Sequence, residues 1–437
     1  MKFYSTNGNA PVADLEKAVV KGLAEDKGLY MPETIKTLPK SFFDSIQDKS
    51  FQKIAYTVAD AFFGEDVDAD SLRGIVNDTL SFDCPVVKVT DSIYSLELFH
   101  GPTLAFKDVG ARFMARLLQY FLRKEGTGDK EVNVLVATSG DTGSAVANGF
   151  LGVDGIHVYV LYPKGKVSPI QECQFTTLGR NITAIEVDGV FDDCQALVKS
   201  AFMDGELNKT LKLTSANSIN VARFLPQAFY YFHAYAQMKR RGLDGNLVFC
   251  VPSGNFGNIC AGLFAKRMGL PVKHFIAANN ANSVFYDYLR TGVYSPRPSV
   301  QTIANAMDVG DPSNFARIYD LYGKDYEAIR TDISGATYSD DQIAETIREV
   351  YGKTGYVCDP HGACGYRALS ELLRSGETGV FLETAYPAKF KGTVDGILSS
   401  DMRIPDRLLA FMKGEKQSVP MSKDFSSFKA YLMKHAR

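Results

Sequence analysis

One lysine of the chain stands in a setting that favours chemistry. The turn Gly101–Pro102 ends any helix or strand before it, Leu104–Phe106 is apolar, and Lys107 precedes a helix predicted over Val109–Leu122. Desolvation by the apolar neighbours and the positive end of the helix dipole both disfavour the charged ammonium. A neutral amine attacks aldehydes and forms a Schiff base. The alternative is an ordinary solvated lysine paired with Asp108.

Two glycine-rich segments have the pattern of anion sites. Residues 138–145 read T-S-G-D-T-G-S-A, residues 252–258 read P-S-G-N-F-G-N, and each stands between a predicted strand and a predicted helix. Backbone N–H groups at such helix starts suit a phosphate or a carboxylate. Neither segment has the G-x-x-x-x-G-K-[ST] or the full G-x-G-x-x-G pattern, so nucleotide binding is not favoured. A plain strand-to-helix turn is the alternative for either segment.

A third polar segment follows at residues 215–223. Four of its side chains suit a charged small molecule: Ser215, Asn217, Asn220 and Arg223. Asn217 or Ser218 can instead cap a helix that is predicted to reach Arg241. Capping explains one of these residues, so a ligand site and a structural role both stay open for the segment.

The elements that must position these residues alternate between strands and helices. Short apolar, β-branched runs predict six strands after residue 131: 132–137, 157–162, 182–187, 247–251, 275–278 and 380–382. Such strands between helices predict mainly parallel sheets covered on both faces, and therefore an α/β fold. Ligands of these sheets bind where the strands end. Asp359–Ala363 and Glu383–Phe390 are interpreted as two further strand-end turns before helices.

The composition is that of an ordinary globular enzyme. The chain has 437 residues, of which 45% are hydrophobic and 22% charged, and its net charge of −2 gives no general field for nucleic acid or acidic membranes. No stretch approaches the roughly 20 apolar residues that span a bilayer and no secretory signal is recognised, so we expect a cytoplasmic protein. Seven dispersed cysteines and six dispersed histidines argue against a disulfide framework and a protein-held metal. We expect small-molecule partners.

The longest of these motifs resembles that of one enzyme family. The run Glu97–Asp108, E-L-F-H-G-P-T-L-A-F-K-D, is similar to the cofactor-lysine motif of the threonine synthases, which use pyridoxal phosphate. Further segments resemble the same family in chain order: 28–32, 137–143, 163–169, 215–220, 252–257, 305–309 and 387–390. The resemblance therefore covers nearly the whole length of the chain.

The resemblance implies a fold and a reaction. The fold is that of the tryptophan synthase β type (fold type II), with two mainly parallel α/β domains and an N-terminal extension. On this basis residues 1–95 form the extension, 96–215 a small domain with Lys107 and the S-G-D-T-G loop, and 216–437 a large domain with the phosphate loop and C-terminal helices. The implied reaction is γ-elimination of phosphate from O-phospho-L-homoserine followed by β-addition of water, which gives L-threonine.

The resemblance also implies how the cofactor is held. Lys107 would bind pyridoxal phosphate as a Schiff base and then move protons at Cα and Cβ of the substrate. Thr384 would face the pyridine nitrogen, and a hydroxyl there does not hold that nitrogen protonated as a carboxylate would. The cofactor phosphate would bind at the second glycine-rich segment: Ser253, Gly254, Asn255, Phe256, Gly257 and Asn258.

Substrate contacts are expected from three segments. The first glycine-rich segment would hold the substrate carboxylate through Thr138, Ser139, Gly140 and Thr142. Related enzymes have an asparagine at the position of Asp141, where it meets the 3′-oxygen of the cofactor. This departure puts that contact in question, because an anion beside a phenolate repels it. A second anion site for the substrate phosphate would comprise Lys166, Ser215, Asn217, Asn220 and Arg223.

Other functions of the same fold share part of this pattern. A serine or threonine dehydratase, or a cysteine synthase, would share Lys107 and the phosphate loop but has no use for Lys166 and Arg223 as a second phosphate site. A non-catalytic relative that binds pyridoxal phosphate would lose reacting residues, which this chain retains. The oligomeric state is not predicted from these residues.

Overall fold

The structure is a computed structural model that describes residues 1–125 and 131–436. In that part of the chain the strands are β1 (Lys2–Ser5), β2 (Ala13–Asp14), β3 (Tyr30–Pro32), β4 (Val86–Lys88), β5 (Ile93–Glu97), β6 (Val132–Ala137), β7 (Ile156–Pro163), β8 (Ile182–Asp188), β9 (Lys212–Ser215), β10 (Leu247–Pro252), β11 (His274–Asn279), β12 (Ile333–Thr337), β13 (Thr378–Glu383) and β14 (Val419–Ser422).

The helices of the same residues are α1 (Leu15–Lys21), α2 (Lys40–Asp44), α3 (Phe51–Phe63), α4 (Ala69–Thr79), α5 (Lys107–Glu125), α6 (Asp141–Phe150), α7 (Pro169–Thr176), α8 (Phe191–Met203), α9 (Gly205–Thr210), α10 (Val221–Phe224), α11 (Ala228–Arg240), α12 (Gly257–Arg267), α13 (Val284–Thr291), α14 (Phe315–Leu321), α15 (Tyr326–Asp332), α16 (Asp340–Thr354), α17 (Pro360–Leu372), α18 (Lys391–Leu398), α19 (Asp406–Met412) and α20 (Phe425–His435).

The first compact unit comprises Met1, Met31–Phe106 and Phe224–Arg403. Its sheet has the strand order β12-β11-β10-β13-β5-β4, and every neighbouring pair is parallel except β4 with β5. The central strands β10 and β13 are almost entirely buried, as continuous apolar runs in a covered parallel sheet require. Helix α17 packs against β10, β11 and β13, and its Leu369 joins Phe381 in the core.

The second compact unit comprises Lys2–Tyr30, Lys107–Arg223 and Ile404–Arg437. Its sheet is parallel throughout, with the order β14-β8-β7-β6-β9. Helix α8 packs against β6 and β7, while α20 packs against α8 and β14. The core of this unit therefore includes residues far apart in the chain, such as Leu135 and Phe428.

The predicted fold class is confirmed: both large sheets are mainly parallel and alternate with helices along the chain. Strand β6 has the predicted bounds, and the other five predicted strands extend by one or two residues at one or both ends. Helix α5 begins at Lys107, two residues earlier than predicted. The short strands β9, β12 and β14 were not predicted, because their sequences lack a continuous apolar run.

The single helix predicted between residues 218 and 241 is wrong. Helix α10 ends at Phe224, a 3-10 turn follows over Leu225–Gln227, and α11 then runs to Arg240. Pro226 lies in the 3-10 turn, where it has no N–H to donate and its ring crowds the preceding turn. The side chain that accepts a bond at the start of α10 is that of Asn220, whose Oδ1 lies 3.0 Å from the backbone nitrogen of Ala222.

The interpretation of Asp359–Ala363 as a strand-end turn is also wrong. The preceding element is helix α16, and a short loop without strand structure leads from it to Asp359. Asp359 is the N-cap of α17, and Pro360 is the first residue of that helix. The D-P pair thus marks a helix start, which is the common use of both residue types.

The predicted division of the chain at residues 95 and 215 stays a prediction. The compact units are built from discontinuous segments, since Lys2–Tyr30 belongs to the second unit and Met31–Phe106 to the first. The seven cysteines are free thiols, and all except Cys173 are buried. Among the described residues, no helix is long and apolar enough to span a membrane.

Candidate active site

The predicted phosphate loop and Thr384 lie at one edge of the sheet of the first unit. Strands β10 and β13 are parallel neighbours, with Cys250 opposite Phe381. The loop Ser253–Asn258 follows the end of β10, and Thr384 follows the end of β13. Because parallel neighbours end at the same edge, the residues expected at the phosphate and at the ring nitrogen lie on adjacent strand ends.

The loop Ser253–Asn258 has a conformation that few sequences tolerate. Phe256 has φ 62°, a left-handed conformation that costs a bulky residue about 1–3 kcal/mol. A side chain at Gly254 has no room, because its Cβ would lie 2.6 Å from the carbonyl oxygen of Ala306. Helix α12 begins at Gly257 with no acidic residue in its first turn. Its N–H groups and the positive end of its dipole therefore suit an anion.

A second set of contacts fixes Asn255 of this loop. The backbone nitrogen of Ser313 donates to Asn255 Oδ1 at 2.7 Å, and Asn314 Nδ2 donates to the Asn255 carbonyl at 3.0 Å. Arg317 Nη1 donates to Asn314 Oδ1 at 2.7 Å, and its guanidinium lies 4.1 Å from the ring centre of Phe224. Burial lowers the pKa of Arg317 to about 10, so this guanidinium stays charged at neutral pH.

The turn that precedes Lys107 is bonded to the residues that follow β13. The backbone nitrogen of Phe106 donates to the carbonyl of Thr384 at 2.8 Å, and that of Tyr386 donates to the carbonyl of Leu104 at 3.0 Å. Leu104 has φ 57°, a second left-handed conformation at a residue other than glycine. Within the first unit these bonds tie Leu104 and Phe106 to the strand end that carries Thr384.

Lys107 is the first residue of α5, which agrees with its predicted place at a helix start, and it is half-buried. The first turn of α5 packs closely on the backbone of Arg223, because a Cβ at Gly110 would lie 2.3 Å from the Arg223 carbonyl oxygen. Burial lowers the pKa of Arg223 to about 10, and the buried carboxylate of Asp108 opposes this shift. The first turn of α5, which begins with Lys107, and the backbone of Arg223 thus pack closely in the second unit.

The first glycine-rich loop follows β6 and is bonded largely within itself. Thr138 Oγ1 accepts the backbone N–H groups of Gly140 at 2.9 Å and of Gly143 at 2.7 Å. Asp141 is buried at the start of α6, and its Oδ1 accepts from Gln171 Nε2 at 2.9 Å. The carboxylate already offers a negative charge to the first turn of α6, so the structure gives this loop less capacity for a further anion.

The segment after β9 contributes both candidate ligand groups and structural ones. Asn217 Nδ2 donates to the carbonyl of Ala137, the last residue of β6, at 3.2 Å. Asn220 Nδ2 donates to the carbonyls of Val19 at 2.8 Å and Ser215 at 3.2 Å. Because Asn220 Oδ1 also accepts an N–H, the amide of Asn220 has little capacity left for a ligand.

The substrate-binding candidates share one edge of the second unit's sheet. Strand β6 lies between β7 and β9, and all three run parallel. Lys166 is exposed in the loop after β7, so it follows the strand next to the first glycine-rich loop. The structure thus places three predicted segments at adjacent strand ends of the second unit: residues 138–142, Lys166 and residues 215–223.

Sequence reasoning missed a group of buried polar residues in the first unit. Asp359 and His361 form a buried pair with Asp359 Oδ1 2.5 Å from His361 Nδ1. Asp308 accepts from Asn280 Nδ2 at 2.8 Å, and burial raises the pKa of Asp308 to about 6. The local signals were the helix-cap pattern at Asp359 and the place of Asp308 in the segment 305–309. Neither predicts contacts with residues as far away as Asn280 and Ala306.

Family models match nearly the whole chain. The model described as "Pyridoxal-phosphate dependent enzyme" matches residues 87–381. Two further models, "Threonine synthase N terminus" and "Threonine synthase, C-terminal", match residues 2–80 and 362–432. The matched segments include Lys107, both glycine-rich loops and the segment 215–223.

Individual relatives are similar over their full lengths. The threonine synthase of Haemophilus influenzae is 42% identical over 434 residues, which cover 99% of this chain and 100% of the relative. The crystal structure of threonine synthase from Escherichia coli superposes with a TM-score of 0.93 at 42% identity and covers 100% of both chains. The PLP-bound threonine synthase structure from Brucella melitensis gives 0.92 at 35% identity, again over 100% of both chains.

Proposed function

Because the chain belongs to the threonine synthase family of pyridoxal-phosphate-dependent enzymes, we propose that it converts O-phospho-L-homoserine and water into L-threonine and inorganic phosphate. The observation that carries this proposal is the loop Ser253–Asn258, held in a strained conformation at a helix start beside the strand end of Thr384. An enzyme maintains such strain where a ligand must be pre-positioned.

The residues of the first unit fit the phosphate of the cofactor. Gly254 is partly exposed and packs without a side chain against Ala306, Phe256 turns the chain into α12, and the first turn of α12 has no acidic residue. A doubly charged phosphate is stabilised at such a helix start by N–H groups and the helix dipole. We assign Ser253, Asn255 and Asn258 to the same site, with Thr384 facing the ring nitrogen.

Lys107 is the proposed catalytic residue. When bound, pyridoxal phosphate supplies an aldehyde for a lysine and a ring that takes up negative charge from the substrate. The Lys107 amine, in its neutral form, would take protons from Cα and Cβ of the substrate as phosphate leaves Cγ. It would return protons at Cγ and at Cα, while water adds its hydroxyl to Cβ. Its position at the N-terminus of α5 favours that neutral form, because the helix dipole disfavours a cation there.

The substrate is proposed to bind through the strand ends of the second unit. Thr138, Ser139, Gly140 and Thr142 would meet its carboxylate, with Asp141 at the edge of that group. Arg223 is the strongest candidate for its phosphate, since a guanidinium binds phosphate oxygens with two parallel hydrogen bonds. Lys166, Ser215 and Asn217 lie on the same sheet edge and complete the proposed site. Asn220 supports the site through its hydrogen bonds to the carbonyls of Val19 and Ser215.

Phosphate release from O-phospho-L-homoserine tests the reaction. We expect release of inorganic phosphate together with L-threonine, and no ammonia from L-serine or L-threonine. The opposite pattern would make the chain a dehydratase and overturn the proposal. Lys107→Ala should abolish both the reaction and the visible absorbance band of the lysine-bound cofactor.

Two buried arginines allow a matched test of the substrate site. Arg223 and Arg317 are both buried, and burial lowers the pKa of each to about 10. Arg223→Lys should raise KM for O-phospho-L-homoserine and leave the affinity for pyridoxal phosphate unchanged. Arg317→Lys should weaken the binding of pyridoxal phosphate and leave KM for O-phospho-L-homoserine unchanged, because Arg317 supports the loop of the cofactor phosphate. If both substitutions change the same constant, Arg223 is not part of a separate phosphate site.

The cytoplasmic location expected from the sequence stays a prediction, and fractionation of cells that express the tagged protein would test it.

A further inference from the structure

A buried aspartate–histidine pair in the first unit contacts two segments of the proposed cofactor site. Asp359 and His361 are 0% and 2% exposed. Asp359 Oδ1 accepts from the backbone nitrogen of His361 at 2.6 Å and lies 2.5 Å from His361 Nδ1. The side chain of Asp359 thus caps α17 and also fixes the orientation of the His361 imidazole ring.

The hydrogen bonds of His361 define its tautomer. The backbone N–H of Ala306 points to His361 Nε2 at 3.1 Å, and a backbone nitrogen can only donate. Nε2 must therefore carry a lone pair, and the ring proton must lie on Nδ1, where it is donated to Asp359. The pair thus presents a fixed acceptor to the peptide of Ala306.

Ala306 connects this acceptor to the phosphate loop. It lies in the 3-10 turn Asn305–Met307, and its carbonyl oxygen would lie 2.6 Å from a Cβ at Gly254. The turn thus packs directly on the backbone of Gly254. Asp308, the residue after the turn, is held by Thr302 and Asn280, whereas His361 accepts from Ala306 in the part of the turn that faces the loop.

Asp359 has a second set of contacts at the end of β13. Its Oδ2 accepts from the backbone nitrogen of Ala385 at 3.3 Å, and its own backbone nitrogen donates to Glu383 Oε1 at 2.5 Å. Glu383 and Ala385 are the two neighbours of Thr384. Burial and then the Asp359 carboxylate raise the pKa of Glu383 well above its ordinary value, which favours the neutral form of this side chain.

We propose that Asp359 and His361 act as positioning residues that hold two cofactor-binding segments in place, the phosphate loop through Ala306 and the Thr384 strand end through Ala385. This inference rests on the proposed function, in which those segments hold the phosphate and the pyridine nitrogen of the cofactor. The pair bonds to backbone nitrogens of Ala306 and Ala385. It fixes the backbone against which each group is seated.

Two substitutions of His361 separate the two hydrogen bonds of the ring. The amide of His361→Gln can place Oε1 near the position of Nε2 and still accept from Ala306. The shorter amide of His361→Asn resembles the Nδ1 side of the ring, so it can donate to Asp359 but leaves the N–H of Ala306 without an acceptor. His233→Gln is the matched control, because His233 also pairs with an aspartate, Asp83, at 2.8 Å in the same unit.

The measurement is the affinity of each apoprotein for pyridoxal phosphate, by fluorescence titration, with the ³¹P chemical shift of the bound cofactor. We expect His361→Asn to raise Kd about tenfold, as the loss of an acceptor by a buried N–H predicts, and to shift the ³¹P resonance. His361→Gln should recover most of the affinity and the wild-type shift. His233→Gln should change neither.

Two results would overturn the inference. One is an unchanged Kd and ³¹P shift in both His361 variants. The other is an equal loss in His361→Asn, His361→Gln and His233→Gln that follows their thermal stability, which would indicate general destabilisation. If His361→Asn does not fold, the comparison of His361→Gln with Asp359→Asn decides, and equal affinities in these two proteins overturn the inference. Failure of the proposed reaction is a separate result, because cofactor binding is measured without substrate.

Discussion

The two glycine-rich loops look alike in sequence and differ in what holds them. Each follows a buried strand and opens a helix. In the loop 138–143 the hydroxyl of Thr138 accepts two of the backbone N–H groups, and Asp141 places a carboxylate in the first turn of α6. In the loop 253–258 other segments hold Gly254 and Asn255, the Asn258 amide donates to the carbonyl of Pro252, and the first turn of α12 has no acidic residue.

This difference teaches which anion each loop suits. A helix start with its own carboxylate has part of its dipole compensated, whereas one without such a group keeps its full attraction for a doubly charged phosphate. Asn255 and Gly254 of the second loop are held by distant residues, and Asn258 Oδ1 accepts one N–H of the first turn of α12, that of Ile259, at 2.9 Å without adding a charge. The first loop suits the single charge of a substrate carboxylate.

The largest expected effect comes from Gly254→Ala. The new methyl group would lie 2.6 Å from the Ala306 carbonyl oxygen, which is backbone and cannot rotate away. The loop or the turn of Ala306 must move, and we expect the Kd for pyridoxal phosphate to rise about 100-fold, equivalent to about 3 kcal/mol. Equilibrium dialysis of the apoprotein measures this change. Gly396→Ala in α18 is the control, because a Cβ there meets open space.

Removal of the cofactor tests the same loop without a substitution. A ligand that binds only the folded state stabilises it by about 2.7 kcal/mol at 100 times its Kd. We expect the apo form of the wild type to unfold several degrees below the holo form in calorimetry, and this difference to shrink strongly in Gly254→Ala. A wild-type protein that unfolds at the same temperature with and without cofactor would contradict the proposed phosphate site.

The sequence alone predicted the parts of this fold that depend on local patterns. Strand β6 has its predicted bounds because an unbroken apolar run ended by polar and glycine residues admits few alternatives. Strand β9 was missed because it is short and begins with an exposed lysine, and its place is set by pairing with β6 about 80 residues earlier in the chain. The break between α10 and α11 was missed although Pro226 marks it.

In the candidate site, too, the features set by local patterns were predicted and those set by distant residues were missed. Lys107 at a helix start and the glycine-rich loops were recognised from residue types and spacing, and the structure places them at a helix start and at strand ends. The role of His361 had no local signal, since its partner Ala306 is 55 residues away. The D-P-H-G segment was interpreted as a strand-end turn, whereas it caps helix α17, and neither pattern predicts a contact with a residue so far away in the chain.

Thr138→Val should affect stability rather than cofactor binding. Valine has nearly the shape of threonine but cannot accept a hydrogen bond, so the N–H groups of Gly140 and Gly143 would lose their acceptor. We expect a loss of about 2 kcal/mol in the free energy of unfolding, measured with urea, because buried donors without partners are costly. The Kd for pyridoxal phosphate should stay unchanged. A large rise in that Kd would show that the first loop also holds the cofactor phosphate.

The smallest and sharpest change is Asp141→Asn. The Oδ1 atom of asparagine can still accept from Gln171 Nε2, so the fold of the loop is retained while the negative charge in the first turn of α6 is removed. The helix start then attracts anions more strongly by about 0.5–1 kcal/mol. We expect KM for O-phospho-L-homoserine to fall two- to fivefold, as this free energy implies, with little change in the Kd for pyridoxal phosphate. A change in cofactor affinity alone would instead place Asp141 against the cofactor. The two loops would then both bind the cofactor and differ in which of its groups they contact.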